Sequence, residues 1–392
     1  MGDGASSEWN VHHGNPSSWP DRKKWTVMST AFVVTFIVGL NATSITTASD
    51  IISDEFGLGN GLIEYNFFAV TAWNAAAAFV PLVTLPLMDT YGVRWGYLTC
   101  YMLFTVFLIP QALAQNFATL VVCRAMAGAR VLPLTGYVFS LVSGVTMGPV
   151  LGAVVEPLSW RWIFWIQLII CGALTPAVVL FVKETRSSVL YAKHFPHGPV
   201  HADAGEAKNA LEELYATTTR SALLLTTEPA VALFTLWSSF AFGLVFISTQ
   251  SVPLVFGSAF GWEAYRSGLV QSAIGIGQLL GFGACLVQRR LYIDSAQRNK
   301  ENPGVPVPEA ILHLIYITDS YSTFAASAIA AVAFGENVFA AFLPLAAKPM
   351  YEKMGYDWAS SLLGFVALVL TLAPLLLLFN GQRIRSKSTF KQ

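Results

Sequence analysis

Long apolar runs set apart by short charged segments decide what this chain can become. The runs lie near 26–48, 64–87, 95–114, 117–136, 137–156, 160–182, 229–252, 265–287, 320–346 and 358–380. A helix of ~20 predominantly apolar residues crosses the hydrocarbon core of a bilayer. Only helices and closed barrels satisfy every backbone polar group in lipid. Composition agrees: 12% of the residues are charged, against ~25% in soluble domains. The expected fold class is therefore an all-α polytopic membrane protein with about ten spans. The boundary between the fourth and fifth runs is the least marked, because no polar loop separates them.

Lys and Arg gather on the cytoplasmic side of membrane proteins. Here they precede the first run (Arg22, Lys23, Lys24) and follow the second (Arg94), sixth (Lys183, Arg186), eighth (Arg289, Arg290) and last (Arg383, Arg385). Segments 49–63 and 157–159 carry none. Both termini are thus expected in the cytoplasm, which requires an even number of spans and two short crossings within 117–156. The expected organisation is a cytoplasmic tail (1–24), an N-terminal membrane bundle (25–182), a cytoplasmic linker (183–228), a C-terminal bundle (229–380) and a cytoplasmic tail (381–392). Two membrane halves about a polar linker suit a transporter that rocks one bundle against the other. The polar start of the chain shows no cleavable signal sequence, so the first span is expected to direct insertion.

The fifth run carries Gly144, Gly148, Pro149 and Gly152, followed by Ser159-Trp160-Arg161-Trp162-Ile163-Phe164-Trp165. Small residues every fourth position bare one helix face, so that a neighbour can approach closely. Proline removes a backbone donor and bends the helix, which is tolerated when a neighbour satisfies the freed carbonyl. This helix is expected to serve packing and bending. The tryptophans are expected at a membrane–water interface.

Several polar residues interrupt the apolar runs. Arg124 lies well inside one; a charge there costs ~2.5–3.5 kcal/mol on insertion scales, which makes it a functional candidate. Bonding to nearby carbonyls is the plainer alternative. Glu336 and Asn337 interrupt the helix 326–345, and a glutamate in such a place could carry a proton. Pairing with Arg124, or a place near an interface, would account for it as well. Asn41, Thr43, Ser44, Gln271 and Gln278 could line a cavity or bond helix to helix. Asn41-Ala42-Thr43 also matches a glycosylation sequon, at a depth that argues against its use.

Other chemistries find little support. Net charge is zero, so no nucleic-acid partner is expected. His194, His197 and His201 are separated by Pro196, Gly198 and Pro199, which prevent the helix that would align them as metal ligands. Cys100, Cys123, Cys171 and Cys285 lie singly in apolar segments without metal or redox spacing. No phosphate-cradling glycine loop with lysine is present, and no catalytic set stands out. Neither metal, cofactor nor enzymatic activity is expected.

Four pieces resemble the major facilitator superfamily and, within it, the fungal drug:proton antiporter branch. They are Leu85 to Arg94 with Asp89, Gly92 and Arg94; Arg124 to Gly128; Gly144 to Gly152; and the ending from Phe342 through Trp358 to Arg385. The resemblance implies a two-bundle architecture. It implies a gate in which Asp89 and Arg94 form a charge relay, with Val93 and Thr90 replacing basic residues usual there. It implies substrate binding or proton coupling at Arg124, and proton-coupled efflux of a small amphipathic compound, often a secondary metabolite, toxin or drug. The proton gradient would be the energy source. A multi-pass monomer of the plasma membrane is expected.

The chain also departs from the family. Arg124 and Gly148 are only 24 residues apart, so the loop between helices 4 and 5 is expected to be lost. Pro308-Glu309 resembles the start of helix 9 and Ile315 to Tyr321 the end of helix 10, with too little between to span. Helices 9 and 10 are therefore expected to be missing, which preserves topology and opens one wall of the second bundle. Uptake or exchange of a polyamine or similar metabolite, and a non-transporting remnant, are the alternatives to efflux.

Overall fold

In a computed structural model, residues 15–58, 70–128, 136–155, 157–194, 210–298, 325–374 and 376–377 are described. Helix follows helix, and no strand occurs among the described residues. The first half contains α1 (Asp21–Thr43), the short α2 (Ser49–Glu55), α3 (Ala72–Tyr91), α4 (Val93–Ala112), α5 (Phe117–Ala127), α6 (Gly136–Val155) and α7 (Arg161–Phe181). Two helices, α8 (Ser187–His194) and α9 (Ala210–Thr227), belong to the linker. The second half contains α10 (Pro229–Phe260), α11 (Ala264–Val270), α12 (Ser272–Arg298), α13 (Ala325–Phe342), α14 (Ala347–Met354) and α15 (Tyr356–Leu370).

Each expected span coincides with a helix, the eighth being broken at Gln271 into α11 and α12. Six stretches are long and apolar enough to cross a membrane by length and composition: Asp21–Glu55, Val93–Ala112, Arg161–Phe181, Pro229–Phe260, Ser327–Met354 and Tyr356–Pro374. The fourth is short. Eleven residues of α5 rise about 17 Å, roughly half the hydrocarbon thickness.

Contacts at the helix ends fix the direction of travel. At one end of the first bundle Lys23, starting α1, feels the charge of Lys183 beyond α7, and Glu184 bonds the α3–α4 turn. At the far end Arg161, starting α7, reaches Glu55 beyond α1 and the Ala114 carbonyl between α4 and α5. Both α5 and α7 therefore start at the far end, whereas α6 runs toward it alongside α1, Gly144 lying at Phe36 and Gly152 at Ser44.

The larger core joins Ile37, Trp73, Leu108, Leu120, Ile163 and Phe164 across the first bundle. The tryptophan run divides: Trp162 is exposed, whereas Trp160 is buried, donates to Glu55 Oε2 at 2.7 Å and packs edge-on against Phe56 and Phe164. A bonded partner 105 residues away thus holds that ring inside the protein at the bundle's end.

The second core is small, drawing Val231 and Phe234 of α10, Ala331 and Val332 of α13, Leu224 of the linker helix and Leu377. Its outer helices are thinly covered. Only 11% of the most apolar stretch of Tyr356–Pro374 is buried in protein, against 28% for Arg161–Phe181, which closes the first bundle. Along α12, Ile276, Leu279 and Leu280 are all exposed. Pro308 to Tyr321, on which the expectation of two missing helices rests, lies outside the described residues.

The halves meet along two seams. Thr71, entering α3, donates to the Ala341 carbonyl of α13 at 2.8 Å, and Phe79 meets Phe334 edge-on. On the other seam Phe139 of α6 lies against Phe282 of α12, ring centroids 4.4 Å apart. Below the first seam, Ser221 of the linker helix α9 donates to the Ser327 carbonyl at 2.9 Å.

Candidate functional site

Among the described residues, α1 and α6 pack closely along a glycine-lined seam. A Cβ on Gly144, Gly148 or Gly152 would fall well inside contact distance of the α1 backbone at Phe36, Leu40 and Ser44, and one on Gly39 would meet α6 in return. Pro149 has no N–H for the carbonyl of Val145 one turn earlier. Thr43 supplies the missing donor, its Oγ1 lying 2.6 Å from that carbonyl. The bend in α6 is thus held by a hydroxyl from the helix that its glycines admit.

Arg124 sits in the last turn of α5, fully buried. Its Nη2 donates to the Ala42 carbonyl at 2.9 Å and its Nη1 to the Asn41 carbonyl at 3.3 Å. These carbonyls belong to the last turn of α1, where intrahelical donors run out and the helix dipole favours a cation. Around them runs a buried polar chain. Asn41 Nδ2 donates to Gln167 Oε1 at 2.9 Å, and Gln167 Nε2 to Ser44 Oγ at 3.0 Å. The Asn41 Oδ1 atom has no partner. Arg124, Asn41, Thr43, Ser44 and Gln167 thus tie α1, α5, α6 and α7 together. Gln167 was not among the residues singled out in the sequence; a lone glutamine in an apolar run was the available signal.

The remaining polar candidates lie elsewhere. Gln278 of α12 bonds Thr146 of α6 at 3.0 Å across the seam between bundles. Gln271, at the break in the eighth span, donates to the Ser248 carbonyl at 2.5 Å, with its Oε1 unpartnered. Glu336 of α13 accepts from the Ser238 hydroxyl of α10, and Asn337 donates to Ala333 of its own helix at 2.7 Å. His194 bonds Leu190 one turn back at 2.8 Å; His197 and His201 lie outside the described residues.

At the α3–α4 turn, Gly92 has φ +95°, a conformation other residues rarely adopt. A Cβ there would also strike the Glu184 carboxylate. That carboxylate accepts the backbone N–H of Val93 at 3.0 Å and of Arg94 at 3.1 Å, capping the start of α4 where orphan donors converge. Arg94 donates from its side chain to the Val179 carbonyl near the end of α7 at 3.3 Å. The Asp89 side chain lies outside the described residues. Glu184, absent from the sequence reading, therefore joins the turn to the end of the first bundle. Replacing Glu184 with Ala is expected to cost about 1–2 kcal/mol, as for a lost cap, lowering the midpoint of thermal unfolding of the purified protein. Glu184→Gln, which keeps an acceptor, should cost less; equal losses would rule out capping by the carboxylate.

These features define a polytopic membrane protein of two helical bundles, with a sealed polar cluster in one and a helix bent beside it. The family model of the Major Facilitator Superfamily matches residues 130–303. Efflux pump radE of Floropilus chiversii is 26% identical over 457 residues, covering 96% of this chain and 84% of its own length. MFS transporter cpaT of Aspergillus oryzae is 28% identical over 450 residues, covering 96% of this chain and 90% of its own. The proton:xylose symporter XylE shares the fold at a TM-score of 0.54 and 13% identity, covering 95% of this chain and 98% of its own. In sequence the chain is thus similar to fungal transporters of the major facilitator type, and part of it matches that family's model.

Those alignments also measure the shortening. At 96% coverage of 392 residues, about 376 residues of this chain face 457 aligned positions of the radE pump, leaving about 80 without a counterpart. A lost loop and two lost helices account for a deficit of that order.

Proposed function

We propose that this protein exports a small amphipathic compound, such as a fungal secondary metabolite, toxin or drug, by alternating access coupled to inward proton flow. The observation that carries this reading is the buried Arg124 held on the last carbonyls of α1, beside the glycine-lined seam of α1 and α6. A charge deep in a membrane protein, fixed to the end of one helix and next to a bend in another, responds when either helix moves. Asn41 and Arg124 would form the binding or coupling region, with Gln271, Gln278, Glu336 and Asn337 facing the path between bundles. Asp89, Gly92 and Arg94 would form the gate on the cytoplasmic side, together with Glu184. The protein would act as a monomer in the plasma membrane with both termini in the cytoplasm.

The test is directional flux in sealed vesicles, read with rhodamine 6G and with fluorescein as amphipathic probes of opposite charge. Efflux predicts movement of at least one probe that a pH gradient accelerates and an uncoupler abolishes. Movement indifferent to the gradient removes proton coupling. No movement of any compound in a panel drawn from the host's own extract favours a non-transporting remnant, for which the thin cover of α12 and α15 already speaks.

A further inference from the structure

A second polar site lies at the far end of the molecule, between the bundles and separate in its residues from the Arg124 cluster. It is a cavity of about 300 Å³, large enough for an amino-acid-sized molecule. One wall is the turn from α1 into α2, with Thr47 and Asp50; the other comes from α10, α11 and α14, with Gln250, Ser267 and Lys348. Pro253, Leu254 and Trp262 add an apolar side.

Two of the lining groups are built for a partner. Ser267 is 1% exposed, and neither its hydroxyl nor the Gln250 Nε2 has a hydrogen-bond partner. Leaving buried polar groups unmet is costly, and native structures rarely do so without a ligand or ordered water. The hydroxyls of Thr46, Thr47 and Ser49 on the first bundle are spent on local carbonyls, whereas the Gln250 amide and Ser267 hydroxyl, with the Lys348 ammonium beside them, belong to the second bundle and suit a carboxylate. The single acid, Asp50, stands on the first bundle and suits a cation. Trp262 and Leu254 suit a flat apolar body.

From these groups we infer that the far-end cavity is a binding site for a small zwitterion of aromatic amino-acid size, with its carboxylate toward Gln250 and Lys348 and its ammonium toward Asp50. A molecule so placed touches both bundles. It therefore stabilises the arrangement in which they are closed at this end, as any ligand favours the state it binds better. Occupation of the site would slow a cycle that requires this end to open; that consequence rests on the transport reading, whereas binding does not.

The experiment is equilibrium binding of tritiated L-tryptophan to the purified full chain in lipid nanodiscs, without a gradient. Tryptamine and indole-3-propionate, each keeping one of the two charges, serve as competitors. Saturable binding is expected, with both competitors at least tenfold weaker than unlabelled tryptophan. Gln250→Leu or Lys348→Met should weaken it at least tenfold while the protein stays monodisperse. Thr226→Ala, on the exposed face of the linker helix α9, should leave it within twofold. Absence of saturable binding to folded protein overturns the inference, as do competitors equal to tryptophan or a loss in Thr226→Ala as large as in the cavity variants. If tryptophan does not bind and Ser267→Ala raises thermal stability, the cavity serves ordered water alone and the inference is also overturned. Protein that binds tryptophan yet moves no compound would fail the transport reading only.

Discussion

Gly148→Leu is expected to abolish the folded protein. The Cβ alone would lie 2.9 Å from the Ser44 nitrogen and 3.0 Å from the Leu40 carbonyl oxygen, with Thr43 Oγ1 closer still. Two of those three atoms are backbone, so no rotamer change relieves the clash and α1 must move. Moving α1 opens the contacts at Gly144 and Gly152, pulls Thr43 from the carbonyl freed by Pro149, and draws Asn41 and Ala42 away from Arg124. Overpacking alone costs about 1–3 kcal/mol, and each charge-assisted bond lost adds about 1.5–3 kcal/mol. With both Arg124 bonds lost the sum is about 4–9 kcal/mol, in the range that is exceptional for one substitution. Gly148→Ala should fall within the overpacking range. Gly172→Leu is the control, since nothing lies within 4 Å of its Cβ position. Size-exclusion profiles of fluorescent fusions check all three; a monodisperse Gly148→Leu peak at the parent's thermal midpoint would refute the seam.

The glycine seam was legible because its cause is local. Four small residues at helical spacing bare a face whatever the partner, and a proline frees a carbonyl wherever it sits. The sequence could not name Thr43 as the donor that answers Pro149, since that depends on α1 lying against α6 in one register. The spans were legible for a similar reason: bilayer thickness dictates their length before any packing is known. What escaped were two acids whose partners are distant in sequence. Glu184 caps a helix that begins 91 residues earlier, and Glu55 holds a tryptophan and an arginine more than 100 residues ahead. Neither stands out in the sequence, because a lone carboxylate carries no spacing. Among the residues themselves, Arg124 stands out by its depth. Depth announced its cost but not its partners, and bonding to nearby carbonyls, the plainer alternative, describes what its guanidinium does in this structure.

Arg124→Met is expected to remove gradient-driven flux while leaving a folded, less stable protein. Methionine fills much of the same volume without the fork of donors, so the apolar neighbours Leu120 and Ala127 keep their packing. The carbonyls of Asn41 and Ala42 lose their guanidinium, and two unmet acceptors cost about 1–3 kcal/mol each. Arg124→Lys separates the two roles open to this residue. Lysine restores the charge but not the planar pair of bonds, because an ammonium is a point donor on a flexible stem. If charge is what the cycle uses, lysine recovers part of the flux with little gain in thermal stability. If bracing α1 is all that Arg124 does, flux and thermal midpoint will fall and recover together across Met, Lys and Arg. The decisive pairing is gradient-driven flux against unfolding midpoint for the three side chains in the same vesicle preparation. A methionine variant with the parent's gradient dependence would remove Arg124 from the coupling mechanism and leave it a structural clamp at the end of α1.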